Sequence, residues 1–265
     1  MQTKQDIDKL INKVLLSKKY KTLYRPTVQR IVEDTISRYS ENQVEKAAKR
    51  KLHQIWGAYF VRPNFNKLLT RIDDDLKKGV DAKEILLSIL RLQTSTNERV
   101  TILNDFYPQI FSITGYPKTI TEPACGLNAL TYFWVNSNIQ YIGFDVDQEI
   151  IDFINSVFKL FGVHQRARVE LGDVLADDFS RTSDMVLLLK VLPLLEHQKR
   201  GCSIEVLRKM QGKHIVVSFP IRSISGKERG MIDFYSKQFI DMVKTEPWKI
   251  EKLVFETELV FCIKK

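Results

Sequence analysis

Glu122-Pro123-Ala124-Cys125-Gly126-Leu127-Asn128 places an acid ahead of small residues and a glycine that opens a helix. Such a turn lets a ligand approach the backbone closely and meet helix N–H groups. About 20 residues beyond the glycine stands Asp145, in Gly143-Phe144-Asp145-Val146-Asp147, where an acid commonly accepts hydrogen bonds from ribose hydroxyls. Farther on, Gly172-Asp173-Val174 offers a carboxylate that can accept from an adenine amino group. Three successive acids without a phosphate-binding GxGxxG suit a neutral adenosine ligand better than a dinucleotide, and S-adenosylmethionine is such a ligand. The competing reading is that the three acids only cap loops.

Other constellations are weaker. Cys125 has no His or Asp beside it in sequence and reads as a small packing residue rather than a nucleophile. His53, His164, His197 and His214 lack metal-ligand spacing, and Cys125, Cys202 and Cys262 have neither zinc spacing nor a disulfide framework, so no metal site is expected. No G-x-S-x-G elbow is present. Ser225-Gly226-Lys227-Glu228-Arg229-Gly230 is a basic, glycine-bearing loop that reads equally as a surface turn or a substrate-contacting loop.

The elements that must position these residues change period along the chain. Ile7, Leu10, Ile11, Val14 and Leu15 follow the stripe of an amphipathic helix. A second helix starts at Pro26 and buries Val28, Ile31, Val32 and Ile36. A third runs from about Val44 through Leu52, Ile55, Trp56 and Tyr59. Shorter helices follow at Leu68 to Leu76 and Glu84 to Leu92, and a longer one starts near Thr96, capped by Ser95 or Thr96. After Gly115-Tyr116-Pro117, β-rich runs at Thr119–Glu122, Gln140–Asp145, Arg168–Leu171, Met185–Leu189 and His214–Phe219 alternate with helices at about 128–136, 147–161, 194–210 and 228–243. That alternation predicts a parallel sheet covered on both faces, closed by a hairpin of Ile250–Phe255 and Leu259–Ile263. Ligands of such sheets bind beyond the carboxyl ends of the strands, where the three acids fall.

The 265 residues allow one large domain or two modest ones, and 44% hydrophobic content supplies a core. We expect a helical basic domain over 1–112 and an α/β, Rossmann-like domain over 113–265. No apolar run approaches the roughly 18 residues of a membrane span, and the N-terminus shows no secretory signal, so no membrane partner is expected and a reduced cytoplasm is the expected setting. Residues 1–110 hold 21 Lys/Arg against 13 Asp/Glu, whereas the remaining 155 hold 20 against 19. Nearly all of the net +9 therefore sits in the first two-fifths, as a module that meets a polyanion such as a nucleic acid requires. A basic solvated surface is the alternative.

Several strings in one order resemble the aminoglycoside-resistance 16S rRNA (guanine(1405)-N(7))-methyltransferases of the Arm/Rmt type. They are Ser17-Lys18-Lys19-Tyr20, Lys51-Leu52-His53-Gln54-Ile55-Trp56-Gly57, Ser95-Thr96-Asn97-Glu98-Arg99-Val100 and Ala124-Cys125-Gly126-Leu127-Asn128. The match continues through Leu189-Lys190 with Leu192-Pro193, Val217-Ser218-Phe219-Pro220, Ser225-Gly226-Lys227 and Glu258-Leu259-Val260. The resemblance implies a Rossmann-like S-adenosylmethionine-dependent methyltransferase domain behind an all-helical N-terminal domain. That domain would dock on 16S rRNA within the assembled 30S subunit, the enzyme acting as a monomer.

Carried over by position, the resemblance implies that Arg99 holds the cofactor's methionine carboxylate. Ala124 and Gly126 would line the backbone cradle, Asp145 would take the ribose, and Asp173 with Val174 the adenine. Leu189, Gln198, Tyr59, Thr94 and Ser95 match further cofactor positions. Lys18, Lys19, Lys21, Lys49, Arg50 and Lys51 are the expected phosphate contacts, with Lys227, Arg229 and Met231 extending them around the basic loop. The family usually has Asp where Glu122 stands, and this longer acid is expected to bridge to the cofactor's amine. The family's Pro is Ala129 here, and Ile232-Asp233-Phe234 departs from its usual wording after Met231. No Asn/Asp-Pro-Pro-aromatic motif of amino-group methylases is present, consistent with a ring-nitrogen acceptor. A methyltransferase for another rRNA position, or a silent RNA-binding protein on the same fold, remains the alternative.

Overall fold

The computed structural model describes residues 4–57, 63–135, 138–221 and 230–265. Tyr59, Lys227 and Arg229 lie outside them. The helical segment consists of α1 (Lys4–Leu15), α2 (Arg25–Ile36), α3 (Glu41–Leu52), α4 (Phe65–Lys77), α5 (Ala82–Leu90), α6 (Thr94–Arg99) and α7 (Leu103–Thr114), with a π-helical turn at His53–Gly57. Proline opens α2, and the Asn64 and Asp81 side chains cap α4 and α5 by accepting from Lys67 N and from Lys83 and Glu84 N. Helices α1–α3 close on Ile11, Val14, Val28, Ile31, Val32, Ala48 and Leu52, all buried.

The long helix expected from Thr96 is interrupted. A 3-10 turn at Val100–Ile102 separates α6 from α7, which carries Pro108 within it. Neither Ser95 nor Thr96 caps α6; its N-cap is Gln93, and the Thr96 hydroxyl donates to the carbonyls of Leu90 and Gln93.

The sheet contains β1 (Thr119–Pro123), β2 (Gln140–Asp145), β3 (Ala167–Leu171), β4 (Ser183–Leu189), β5 (Gly212–Pro220), β6 (Lys249–Val254) and β7 (Glu258–Lys264) in the order β3-β2-β1-β4-β5-β7-β6. The first five are parallel, and β7 runs antiparallel between β5 and β6. Helix α8 (Gln148–Leu160) packs on one face with α4, α5 and α7, whereas α9 (Leu192–Gln198), α10 (Cys202–Lys209) and α11 (Met231–Val243) cover the other. Helices α4, α5 and α7 thus share a core with the sheet, and α1–α3 keep one of their own.

Two expected helices differ. Residues Gly126–Trp134 form a 3-10 helix, and the run at 194–210 is two helices broken at Gly201, whose φ is 78°. The crossover after β1 and the reversed β7 bring the carboxyl ends of β1, β2 and β4 to the same edge as Glu258.

Candidate functional site

The turn after β1 is shaped by its backbone. Ala124 and Gly126 have φ of 56° and 48°, a region an L side chain enters only at a cost. A Cβ on Gly126 would lie 2.8 Å from the Gln93 amide, whose oxygen accepts from Leu127 N at 2.8 Å. Gly126 N donates to Asp145 Oδ2 at 2.9 Å, so the cradle and the acid ending β2 are one unit. Burial and the adjacent Asp147 carboxylate push the Asp145 carboxyl up to about 6, against N–H donors including those of Gly126 and Asp147. Cys125 is buried, and burial drives its thiol well above the usual range, as suits a packing residue and not a nucleophile. Gly143 is required here, since a Cβ would meet Cys125 Sγ at 2.8 Å and Tyr141 OH at 2.9 Å.

Behind the turn runs a buried polar chain. Arg99, 1% exposed, donates from Nη2 to Glu258 Oε2 at 2.9 Å and from Nη1 to Asn128 Oδ1, and lies over the Phe106 ring. Asn128 Nδ2 donates to Glu122 Oε1 at 2.7 Å, and Tyr141 OH to Glu122 Oε2 at 2.7 Å. Glu122 therefore does not reach out to a cofactor amine as its length suggested. Both oxygens are engaged inside the fold, at 2% exposure. Burial pushes its carboxyl up to about 7, despite the opposing pull of Tyr141, Asn128 and Arg99. Burial also raises Glu258, but Arg99 and Lys190 outweigh it and hold that carboxyl below its usual range.

Helix α6 carries Thr94, Ser95 and Arg99 to this edge: Thr94 is exposed and Ser95 half-buried, its carbonyl accepting from Lys190 Nζ at 3.3 Å. Lys190 follows Leu189 at the end of β4 with a φ of 60° and also pairs with Glu98 and, at 3.3 Å, with Glu258. At the end of β3, Asp173 and Val174 are buried, and Asp173 Oδ1 accepts from Leu175 N at 2.8 Å. Gln198, ending α9, is buried nearby. Cavities of about 140 and 200 Å³ border this loop, the first lined by Gly172, Phe144 and Phe179 and the second by Leu175, Gln198 and Arg30. The structure thus gathers Arg99, Ala124, Gly126, Asp145, Asp173, Val174, Leu189 and Gln198 around one edge. The positive-φ turn at Ala124 and Gly126, tied to the Asp145 carboxylate, fits the close approach of a small polar cofactor, and Arg99, engaged by Glu258 and Asn128, lies directly behind it.

Sequence reasoning missed Gln93 and Arg30, since neither has a local signature. Glu258 lay within a matched string but was assigned no role. The basic residues divide: Lys18, Lys19, Lys21 and Arg50 are exposed, whereas Lys49 pairs with Glu45 at 2.7 Å and Lys51 with Asp34. Lys19 Nζ lies 2.8 Å from His53 Nδ1, and Met231, half-buried, opens α11.

The strand order, the glycine turn and the acids at successive strand ends define a Rossmann-like methyltransferase. Residues 16–262 match the family described as Ribosomal RNA methyltransferase (FmrO), and the chain belongs to that family. It is 35% identical, over 98% of its length and 97% of the relative's, to the 16S rRNA (guanine(1405)-N(7))-methyltransferase of Proteus mirabilis. Among solved structures, the 16S rRNA methyltransferase RmtF in complex with S-adenosyl-L-homocysteine superposes with a TM-score of 0.84 at 25% identity, each chain fully covered. The 16S rRNA methylase RmtB follows with 0.78 at 28% identity, over 98% of both chains.

Proposed function

We propose that the protein transfers a methyl group from S-adenosylmethionine to N7 of guanine 1405 of 16S rRNA, within the 30S subunit, and so confers aminoglycoside resistance. The observation that carries this reading is the match, over nearly the whole of both chains, to a relative named for that reaction. Arg99 would hold the cofactor's carboxylate, Ala124 and Gly126 its amino-acid portion, Asp145 the ribose, and Asp173, Val174 and Gln198 the adenine. Bound there, the cofactor supplies an electrophilic methyl on a sulfonium centre.

Guanine N7 presents an in-plane lone pair and no proton, so the protein needs no general base and contributes chiefly alignment. The engagement of Glu122 and Glu258 within the fold suits that requirement, because neither carboxylate is presented as a base. Lys190, fixed by Glu98 and the Ser95 carbonyl at the end of β4, stands where an acceptor would meet the sheet edge. The target base must leave its stack, at a cost of a few kcal/mol. The exposed lysines between α1 and α2 would meet rRNA phosphates, giving the helical region of 1–112 its docking role. The enzyme would act as a monomer, as the resemblance implies. Among the described residues no helix is long and apolar enough to cross a membrane, and action on the 30S subunit implies a cytoplasmic setting.

N7-methylguanine carries a positive charge and lacks a major-groove acceptor, so a cationic aminoglycoside meets repulsion and a missing partner. Expression in a susceptible bacterium should raise resistance to kanamycin and gentamicin and leave streptomycin unaffected. Equal protection against all three would contradict the proposed target.

A further inference from the structure

The ends of β2 and β3 are covered by the segment between α1 and α2. Tyr24 N donates to Val146 O at 2.7 Å, Gln148 N to Thr22 O at 2.9 Å, and Leu23 bridges Asp147. Tyr24 OH donates to Asp177 Oδ1 at 3.3 Å. One turn and a half into α2, Arg30 reaches deepest. Its Nη2 donates to Asp173 Oδ2 and to Gln198 Oε1, each at 2.8 Å, and its Nε lies 3.3 Å from Asp173 Oδ2. One guanidinium therefore ties the loop after β3 to the end of α9.

The neighbours leave this role to Arg30. Lys209, a second cation against the loop, is engaged by the carbonyls of Val174 and Asp177. Asp173 is 4% exposed at its side chain, so without Arg30 a nearly buried carboxylate would keep, among the described residues, only the backbone N–H of Leu175. Arg30 is itself held in place, because Val28, Ile31 and Val32 of the same helix are buried against α1 and α3.

We propose that Arg30 is a positioning residue for the adenosine end of the cofactor. It fixes Asp173 and Gln198 in one geometry, and it makes cofactor affinity depend on the seating of α2. The inference rests on the reading that S-adenosylmethionine binds at Asp173. Because α2 follows directly on the segment that carries Lys18, Lys19 and Lys21, cofactor and rRNA binding would then be linked in both directions.

Calorimetric titration of the full chain with S-adenosylhomocysteine tests this. Arg30→Ala should weaken binding about tenfold or more, the scale of losing a charge-assisted hydrogen-bonded pair. Arg30→Lys should recover part of it, and both variants should keep the wild-type far-ultraviolet circular dichroism. Affinity for 5′-methylthioadenosine, which has the adenosine but no amino acid, should fall by the same factor. In the double variant Arg30→Ala/Gln198→Ala the losses should be less than additive. Arg30→Ala binding within twofold of wild type, or fully additive losses, would overturn the proposal while leaving the cofactor site intact. A wild-type chain that binds neither compound would remove the cofactor reading and the proposal together.

Discussion

Burial lifts the Glu122 carboxyl to about 7, so the folded chain keeps a proton over a range where the unfolded chain, near 4.5, has released it. The stability this group contributes is fully present below about 4.5 and is lost as pH rises through about 7. Within that window wild type should lose up to ~1.4 kcal/mol per pH unit relative to Glu122→Gln, a bound that other titrations will blunt. Urea unfolding of both proteins at pH 5, 6 and 7 measures it, and parallel stabilities would contradict the assignment. At Gly126, substitution by Ala imposes a strained φ and displaces Gln93. We expect a loss of about 1–2 kcal/mol, a few degrees in Tm, together with weaker S-adenosylhomocysteine binding. An unchanged Tm would mean that the turn relaxes freely. Gly126, Asp145 and Asp173 were legible because a strand followed by a small or acidic turn has a local signature. Arg30 and Gln93 were not, because they act on residues 143 and 34 positions away.

The strands were legible for a related reason: β4 and β5 are buried along almost their whole length and so read as continuous apolar runs. The turn at Gly126–Trp134 is buried on every side from Gly126 to Tyr132, and a segment without a polar face carries no period to separate 3-10 from α. The break between α9 and α10 escaped because Glu196 supplies it from upstream, accepting from Gly201 N at 2.6 Å and Ser203 N at 2.9 Å. At this scale the basic residues separate into two groups. Lys18, Lys19 and Lys21 are exposed, whereas two of the three cations ending α3 are already paired. Replacing Lys18, Lys19 and Lys21 by Ala should weaken 30S binding and flatten its salt dependence by roughly 0.7 in log–log slope for each phosphate no longer neutralised. The triple Ala variant of Lys49, Arg50 and Lys51 should change the slope less. A wild-type slope in the first variant would dispose of that footprint.

Across the whole molecule, nearly all the net positive charge sits in the first 110 residues, whose later helices cover one face of a near-neutral sheet region while the segment between α1 and α2 meets its strand ends. Contacts from Thr22, Tyr24 and Arg30 join them at the loops expected to hold the cofactor. A strongly basic helical region and the candidate cofactor site in one chain suit rRNA methylation, and family membership agrees. The most direct test is to map the methylated nucleotide, by primer extension and mass spectrometry, in 16S rRNA from 30S subunits incubated with the protein and S-adenosylmethionine. A single N7-methylguanine at position 1405 is the predicted result. A methyl group at any other nucleotide, or none despite measurable cofactor binding, would contradict it.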